Sequence, residues 1–261
     1  MQLDTPDYSF LDQPPILQFI FYPRGDWTPS PPGARDYLVP VSEGVSISCR
    51  FYPASDSSPC MLFFHGNGEV ACDYDGIAPV YNQEGISLFV ADYRGYGLSG
   101  GWPTFADMSA DAHPIFNFFI NTVRSLGHSG PLFLMGRSLG THSVLELAYH
   151  YPEHLSGLIV ESGSANMARL LRFLTTPVDP ERLRALEEAV VSMLRSITLP
   201  LLVIHGEWDT LIPPSHASYL FETVGSETKR LEIIPGAGHN DIMLVGLEQY
   251  FSAINEFVFQ R

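Results

Sequence analysis

Pro131-Leu-Phe-Leu-Met-Gly-Arg-Ser-Leu-Gly140 is the stretch on which the reading of this chain turns. Pro131 to Met135 is short and uniformly apolar, which suits a buried strand. The rest has the pattern G-x-S-x-G, Gly136-Arg137-Ser138-Leu139-Gly140. From Leu139 to Tyr151 the apolar residues Leu139, Leu145, Leu147 and Ala148 stand among polar ones, and Pro152 follows, as at the end of a helix. A serine on a sharp turn between strand and helix is held in a strained backbone conformation with its hydroxyl exposed. The flanking glycines have no Cβ, so strand and helix can approach closely around it. A chain of this length contains such a pentapeptide by chance about one time in ten. The strand–turn–helix setting is what makes it specific.

Outward from this point the same alternation continues. Strand-like runs are Met61–His65, Ile86–Asp92, Leu132–Met135, Leu158–Glu161, Leu201–His205 and Leu231–Pro235. Helix-like segments between them include Asp107–Leu126, Leu139–Tyr151, Ser215–Val224 and Asp241–Phe257. Continuous apolar strands alternating with amphipathic helices predict an α/β domain, a mostly parallel sheet with helices on both faces. Ahead of it, Tyr37–Val41 and Val45–Phe51 alternate apolar and polar residues around Ser42-Glu43-Gly44, which predicts an antiparallel hairpin. About eight strands result. Residues 1–35, with Pro14, Pro15, Pro23, Pro29, Pro31 and Pro32, read as an irregular arm, and residues 36–261 as one domain. Residues 166–197 are too long for a plain crossover and read as a small helical cap inserted in that domain. Its second half, Pro180–Arg195, is helix-like.

Composition narrows the function. The 261 residues carry 29 acidic against 14 basic groups, a formal net charge of -15. That field repels phosphate backbones and anionic bilayers and argues against nucleic-acid binding. One lysine, Lys229, leaves almost nowhere for Schiff-base or P-loop chemistry. Cys49, Cys60 and Cys72 show no metal-ligand spacing and read as buried free thiols, so no metal is expected. Neither a signal peptide nor a membrane span is legible; Ile16–Tyr22 is too short and is interrupted by Gln18. A cytoplasmic protein without stable membrane insertion is the expectation.

In open parallel sheets, ligands sit outside the carboxyl ends of the strands, and here those ends carry reactive groups. Serine needs a neighbouring base to take its proton, and the base needs an acid to hold its tautomer. Ser138 is the nucleophile. His239, in the glycine-rich Pro235-Gly-Ala-Gly-His239, is the base, and Asp209, four residues past the strand ending at His205, is the acid. The chain order Ser, Asp, His is that of nucleophile-elbow enzymes. His65-Gly66-Asn67-Gly68 follows a strand and can present free backbone N–H groups. The N–H groups of Asn67 and Leu139 are the oxyanion-hole pair that acyl transfer requires.

Rivals exist. His142, four residues after Ser138, lies one turn down the helix, where its ring packs beside the helix and does not reach back. Glu161 ends the neighbouring strand and competes with Asp209 for the acid, or else braces a loop. His65 and His205 read as loop braces, and His113, His128, His150, His154 and His216 as surface residues. Arg94, in Asp92-Tyr-Arg-Gly-Tyr-Gly97, reads as paired to a carboxylate or as a substrate contact, and Arg137 likewise. Met167, Leu170, Leu171, Phe173 and Leu174 supply an apolar face in the cap that would bind an acyl chain.

The ordered set Phe21-Tyr-Pro-Arg24, His65–Gly68, Asp92–Gly97, Gly136–Gly140, the Asp209 loop and Gly238-His239 closely resembles the α/β-hydrolase superfamily. Within it the chain is similar to serine hydrolases that include lipid-thioester and lysophospholipid hydrolases and many bacterial esterases. The similarity covers roughly residues 20 to 259. It implies the α/β-hydrolase fold with an eight-stranded sheet, a Ser138–Asp209–His239 triad and no cofactor. The expected function is hydrolysis of small-molecule carboxylic esters of short to medium acyl length, through an acyl-enzyme. Thioesterase, lysophospholipase and, further off, amidase activity are the enzymatic alternatives. A non-catalytic member of the fold that binds a small ligand or a partner is the alternative from another class. Such members usually lack one of the three catalytic residues, and here all three are present.

Overall fold

The computed structural model describes residues 6–165 and 178–260. The chain forms two compact units, one built on Asp7–Leu132 and the other on residues 133–165 and 179–260. Among the described residues there are eight strands, and they fall into two groups of four.

In the first unit, β1 (Arg35–Ser42) and β2 (Val45–Tyr52) form the predicted hairpin. Tyr37 lies opposite Cys49 and Val39 opposite Ile47, and Gly44 takes the left-handed conformation, φ +72°, at the turn. β2 pairs antiparallel with β4 (Ser87–Ala91), which pairs parallel with β3 (Cys60–Phe64). The sequences Cys-Met-Leu-Phe-Phe and Ser-Leu-Phe-Val-Ala do not alternate because β3 and β4 are buried throughout. Helix α2 (Ala78–Gln83) covers β2 and β4, and α3 (Phe105–Ser125) covers β1 and β3. Phe89 joins the two layers, with ring centroids 5.4 Å from Phe119 and 5.7 Å from Phe51.

The segment read as an irregular arm contains a helix, α1 (Pro14–Ile20). Its prolines misled: Pro14 and Pro15 stand in the first turn, where the missing N–H costs nothing and the fixed φ favours helix. Leu11, Ile16 and Phe21 are buried, and Phe21 packs on Phe105 at 5.2 Å. Asp12 Oδ1 accepts from Phe105 N–H at 2.7 Å, so this segment also caps α3, together with Thr104.

In the second unit, β5 (Leu132–Arg137), β6 (Gly157–Glu161), β7 (Leu201–Gly206) and β8 (Lys229–Ile234) run parallel in that order. β6 and β7 are fully buried, whereas the edge strand β8 is only partly so. Four helices accompany them: α4 (Thr141–His150), α5 (Pro180–Ser196), α6 (Ser215–Thr223) and α7 (Ile242–Phe259). α5 is the helix predicted in the second half of the cap segment. Asp179 caps it, accepting from Glu181 N–H at 2.9 Å, and Leu186, Val190, Met193 and Leu194 form its buried stripe. It packs against α4 and α6. Cys49, Cys60 and Cys72 are buried free thiols. No helix among the described residues is long and apolar enough to cross a membrane.

Gly136 is required by close approach. A Cβ there would lie 2.6 Å from both the Gly140 carbonyl oxygen and Val144 Cγ2. Gly136→Ala is therefore expected to overpack the β5–α4 junction by about 1–3 kcal/mol. Thermal denaturation should show a midpoint lowered by roughly 2–10 °C. Gly25→Ala, where a Cβ meets nothing within 4 Å, should leave the midpoint in place.

Candidate active site

The chain leaves β5 at Arg137 and enters a short 3-10 turn, Ser138–Gly140, that runs directly into α4. Ser138 takes φ +50°, a left-handed conformation that crowds its Cβ. Such a residue costs about 1–3 kcal/mol and persists only where its surroundings fix it. Here a buried strand precedes it and the buried residues Leu139, Gly140 and Thr141 follow. The turn lifts the Ser138 side chain out of both elements and leaves it partly exposed. Leu139 N–H opens the helical segment, where a backbone donor has no intrahelical acceptor.

The loop after β8 approaches the loop after β7. Trp208 N–H donates to Ala237 O at 2.8 Å, and Gly238 N–H donates to the Asp241 carboxylate at 2.6 Å. Gly206, at the end of β7, permits this contact, because a Cβ there would run into the carbonyl oxygens of Ala237 and Gly238. The result is a continuous hydrogen-bonded chain of three side chains. Asp209 Oδ2 lies 2.7 Å from His239 Nδ1, and His239 Nε2 lies 3.0 Å from Ser138 Oγ. A carboxylate can only accept, so Nδ1 carries the imidazole proton. Nε2 is then the acceptor for the serine hydroxyl.

Asp209 is buried. Burial alone would raise its pKa, but the hydrogen bonds from His205, His239 and Ile212 N–H outweigh it and hold the carboxyl well below the usual carboxylate range. Its second oxygen accepts from Leu211 N–H at 3.0 Å and Ile212 N–H at 2.8 Å. His205 Nε2 lies 3.2 Å from Asp209 Oδ2 and donates to Ile212 O at 2.7 Å. Two histidines therefore address one carboxylate oxygen. The four-residue step from His205 to Asp209 was the available sequence signal for this contact, which the loop-brace reading of His205 did not include.

A family profile described as "Serine aminopeptidase, S33" matches residues 55–178 and 180–243, well over half of the chain. The chain belongs to this family of α/β-hydrolases. Among its relatives, human alpha/beta hydrolase domain-containing protein 17B is 29% identical over 247 residues, covering 91% of this chain and 81% of the human protein. An uncharacterized protein of Mycobacterium tuberculosis is 26% identical over 247 residues, covering 92% and 86%. In structure the chain is similar to the Pyrococcus furiosus esterase Pf2001, with a TM-score of 0.71 and 19% identity over 92% of this chain and 98% of that one. The fold is the α/β-hydrolase fold.

The other predicted residues of this hydrolase take varied places. Glu161, the competitor for the acid, lies at the end of β6 and is engaged elsewhere. Its Oε1 accepts from Arg137 Nε at 3.1 Å and its Oε2 from Tyr250 OH at 2.8 Å. Arg137 is thus buried and paired. His142 is buried within α4. His216, expected at the surface, is buried, and its Nδ1 lies 2.7 Å from Ser164 Oγ. His216 stands in the first turn of α6, on the face that also buries Ala217 and Leu220. In the first unit, Arg94 pairs with Asp111 at 2.7 Å and Asp107 at 3.0 Å. His65 Nε2 braces Asp92 at 3.0 Å.

Asn67 also lies in the first unit, in the turn after β3 that contains Gly68 at φ +74°. Its Oδ1 accepts from Tyr22 N–H at 3.0 Å and Tyr96 OH at 2.7 Å, and its Nδ2 donates to Ile20 O. Arg24 adds a bond to Gly68 O at 2.9 Å. The amino-terminal segment thus pins this turn, a role its sequence did not announce. Met167, Leu170, Leu171, Phe173 and Leu174 lie outside the described residues.

Burial pushes the His142 imidazole down to about 4. An unfolded histidine titrates near 6.5. Between about 6.5 and 4 the unfolded chain therefore binds a proton that the folded one does not, and stability falls as pH falls. At full extent this is on the order of 3 kcal/mol. His142→Gln is expected to flatten that part of the stability profile, read from melting midpoints between pH 7 and pH 4.5.

Proposed function

We propose that the chain is a serine hydrolase that cleaves carboxylic esters of short to medium acyl chains through an acyl-enzyme. The observation that carries this is the chain Asp209–His239–Ser138, at 2.7 and 3.0 Å, ending on a serine in a left-handed turn. In this mechanism Ser138 Oγ attacks the ester carbonyl while its proton passes to His239 Nε2. Asp209, held ionised by its hydrogen bonds, stabilises the imidazolium. The oxyanion is met by the N–H of Leu139 at the start of the helical segment. Asn67 N–H is the proposed second donor, from the glycine-rich sequence of its turn. His239 returns the proton to the leaving alkoxide, and a water deprotonated by His239 then hydrolyses the acyl-enzyme.

The esterase name of the P. furiosus neighbour favours an oxygen ester. The family description favours an amide, but a peptidase that works at a chain end generally holds that end by its charge. The two candidates from the sequence, Arg94 and Arg137, are both spent in ion pairs. Thioesters and lysophospholipids share the acyl chemistry and stay as alternatives. Met167, Leu170, Leu171, Phe173 and Leu174 are the proposed acyl contacts. Each buried methylene is worth about 0.8 kcal/mol, so turnover should rise with chain length until the pocket is filled. The net charge of -15 favours neutral over anionic substrates.

A fluorophosphonate probe is expected to label the wild-type protein and to leave Ser138→Ala unlabelled. Equal labelling of both would overturn the assignment and favour a non-catalytic binding protein. On p-nitrophenyl esters from acetate to palmitate, kcat/KM should peak at intermediate length, and Phe173→Ala should move the peak. Asp209→Asn should lower kcat by about 10⁴-fold. Glu161→Gln, by contrast, leaves the Asp209–His239 contact in place and should be far milder.

A further inference from the structure

Arg137, the variable residue of the pentapeptide, has a buried guanidinium that makes contacts in three directions. Nε donates to Glu161 Oε1 at 3.1 Å, and Nη2 donates to the His239 carbonyl oxygen at 3.1 Å and to Asn240 Oδ1 at 2.9 Å. Glu161 is held in turn by Tyr250 OH at 2.8 Å. Tyr250 is fully buried in α7, the helix that follows His239 and Asn240. The nucleophile's immediate neighbour in the chain therefore grips the backbone of the base and the residue after it.

We infer that Arg137 is a positioning residue that sets the Ser138–His239 distance by clamping the His239–Asn240 backbone, with Glu161 and Tyr250 fixing the guanidinium. The inference rests on the serine-hydrolase reading of the site. The loop carrying His239 spans Pro235 to Asp241 between β8 and α7 and includes two glycines; Trp208 N–H holds it at Ala237, and past Gly238 the His239–Asn240 backbone needs a second restraint to hold one geometry. Arg137 supplies that restraint from the strand that also carries Ser138. Because Arg137 and Ser138 share a peptide bond, a shift of β5 moves nucleophile and clamp together, and the distance between Oγ and Nε2 is preserved. The requirement is specific for arginine. A planar guanidinium presents fixed donors to Glu161 on one side and to two oxygens of the loop on the other, whereas a lysine ammonium is a single point that cannot span them.

The experiment compares wild type with Arg137→Lys and with Asn240→Ala. Asn240 is exposed, so the second variant keeps the fold if the first does not. Two quantities are read: the rate of Ser138 labelling by a fluorophosphonate, separated into binding and inactivation constants, and the downfield proton resonance of His239 Nδ1–H. A displacement of about 1 Å costs about 10²-fold in rate. Arg137→Lys is expected to lose that much in the inactivation constant, with the binding constant unchanged, and to lose or broaden the proton signal. Asn240→Ala should show a smaller loss of the same kind. A merely structural arginine would lower the melting midpoint and move neither quantity. Wild-type inactivation and an intact proton signal in both variants would overturn the clamp. If wild type itself does not label, the hydrolase reading fails, and the proton signal decides the clamp alone: its loss in the variants upholds it and its persistence overturns it.

Discussion

A left-handed backbone at a residue that carries a side chain is the constraint around which the second unit is organised. Ser138 stands at φ +50° between a strand and a helix, and neither element can relax without letting it go. β5 is locked on one side by its parallel ladder to β6. α4 is locked by packing so close that Gly136 has no room for a methyl group. The strain at the serine is small beside the burial that enforces it, and what it secures is a hydroxyl that projects from both elements.

The histidine reaches that hydroxyl because two loops, one after β7 and one after β8, meet where a glycine allows them to. Gly206 lets the Ala237–Gly238 backbone pass, and Trp208 N–H holds it by a hydrogen bond to Ala237. Once there, the imidazole is oriented electrostatically. A buried carboxylate is costly unless its lone pairs are filled, and Asp209 has four donors around it: two backbone N–H groups, His205 and His239. Its ionised state is therefore a property of the β7 loop, and His239 benefits from it without having to supply it alone. The excess of acidic groups in the whole chain, by contrast, acts at long range and bears on which substrates approach.

Much of this was legible beforehand because it is written in local patterns. The uninterrupted apolar runs of β3, β4, β6 and β7 marked buried parallel strands, and the alternation in β1 and β2 marked a hairpin. Ser138 was recognisable from the change of period on either side of the pentapeptide. The misreadings share one cause. Pro14 and Pro15 looked like breakers and are a helix start; His216 looked exposed and is buried against Ser164. In both cases the residue type is neutral until the position within an element is known, and position is fixed by packing.

Sequence by itself determined the strand and helix order, the hairpin, the turn that carries Ser138 and the short list of acids and bases from which a site could be drawn. These follow from periodicity and from glycine and proline chemistry, which act over a few residues. Only the tertiary structure brings some members of that list together and keeps others apart. Asp209 and Glu161 both end or follow buried strands, and nothing in their neighbours separates them. What separates them is that the loop after β7 turns Asp209 toward His239, while Arg137 and Tyr250 occupy both oxygens of Glu161. Those partners lie 30, 24 and 89 residues away in sequence. Contacts of that separation are set by how strands stack and loops meet, and no local pattern encodes them.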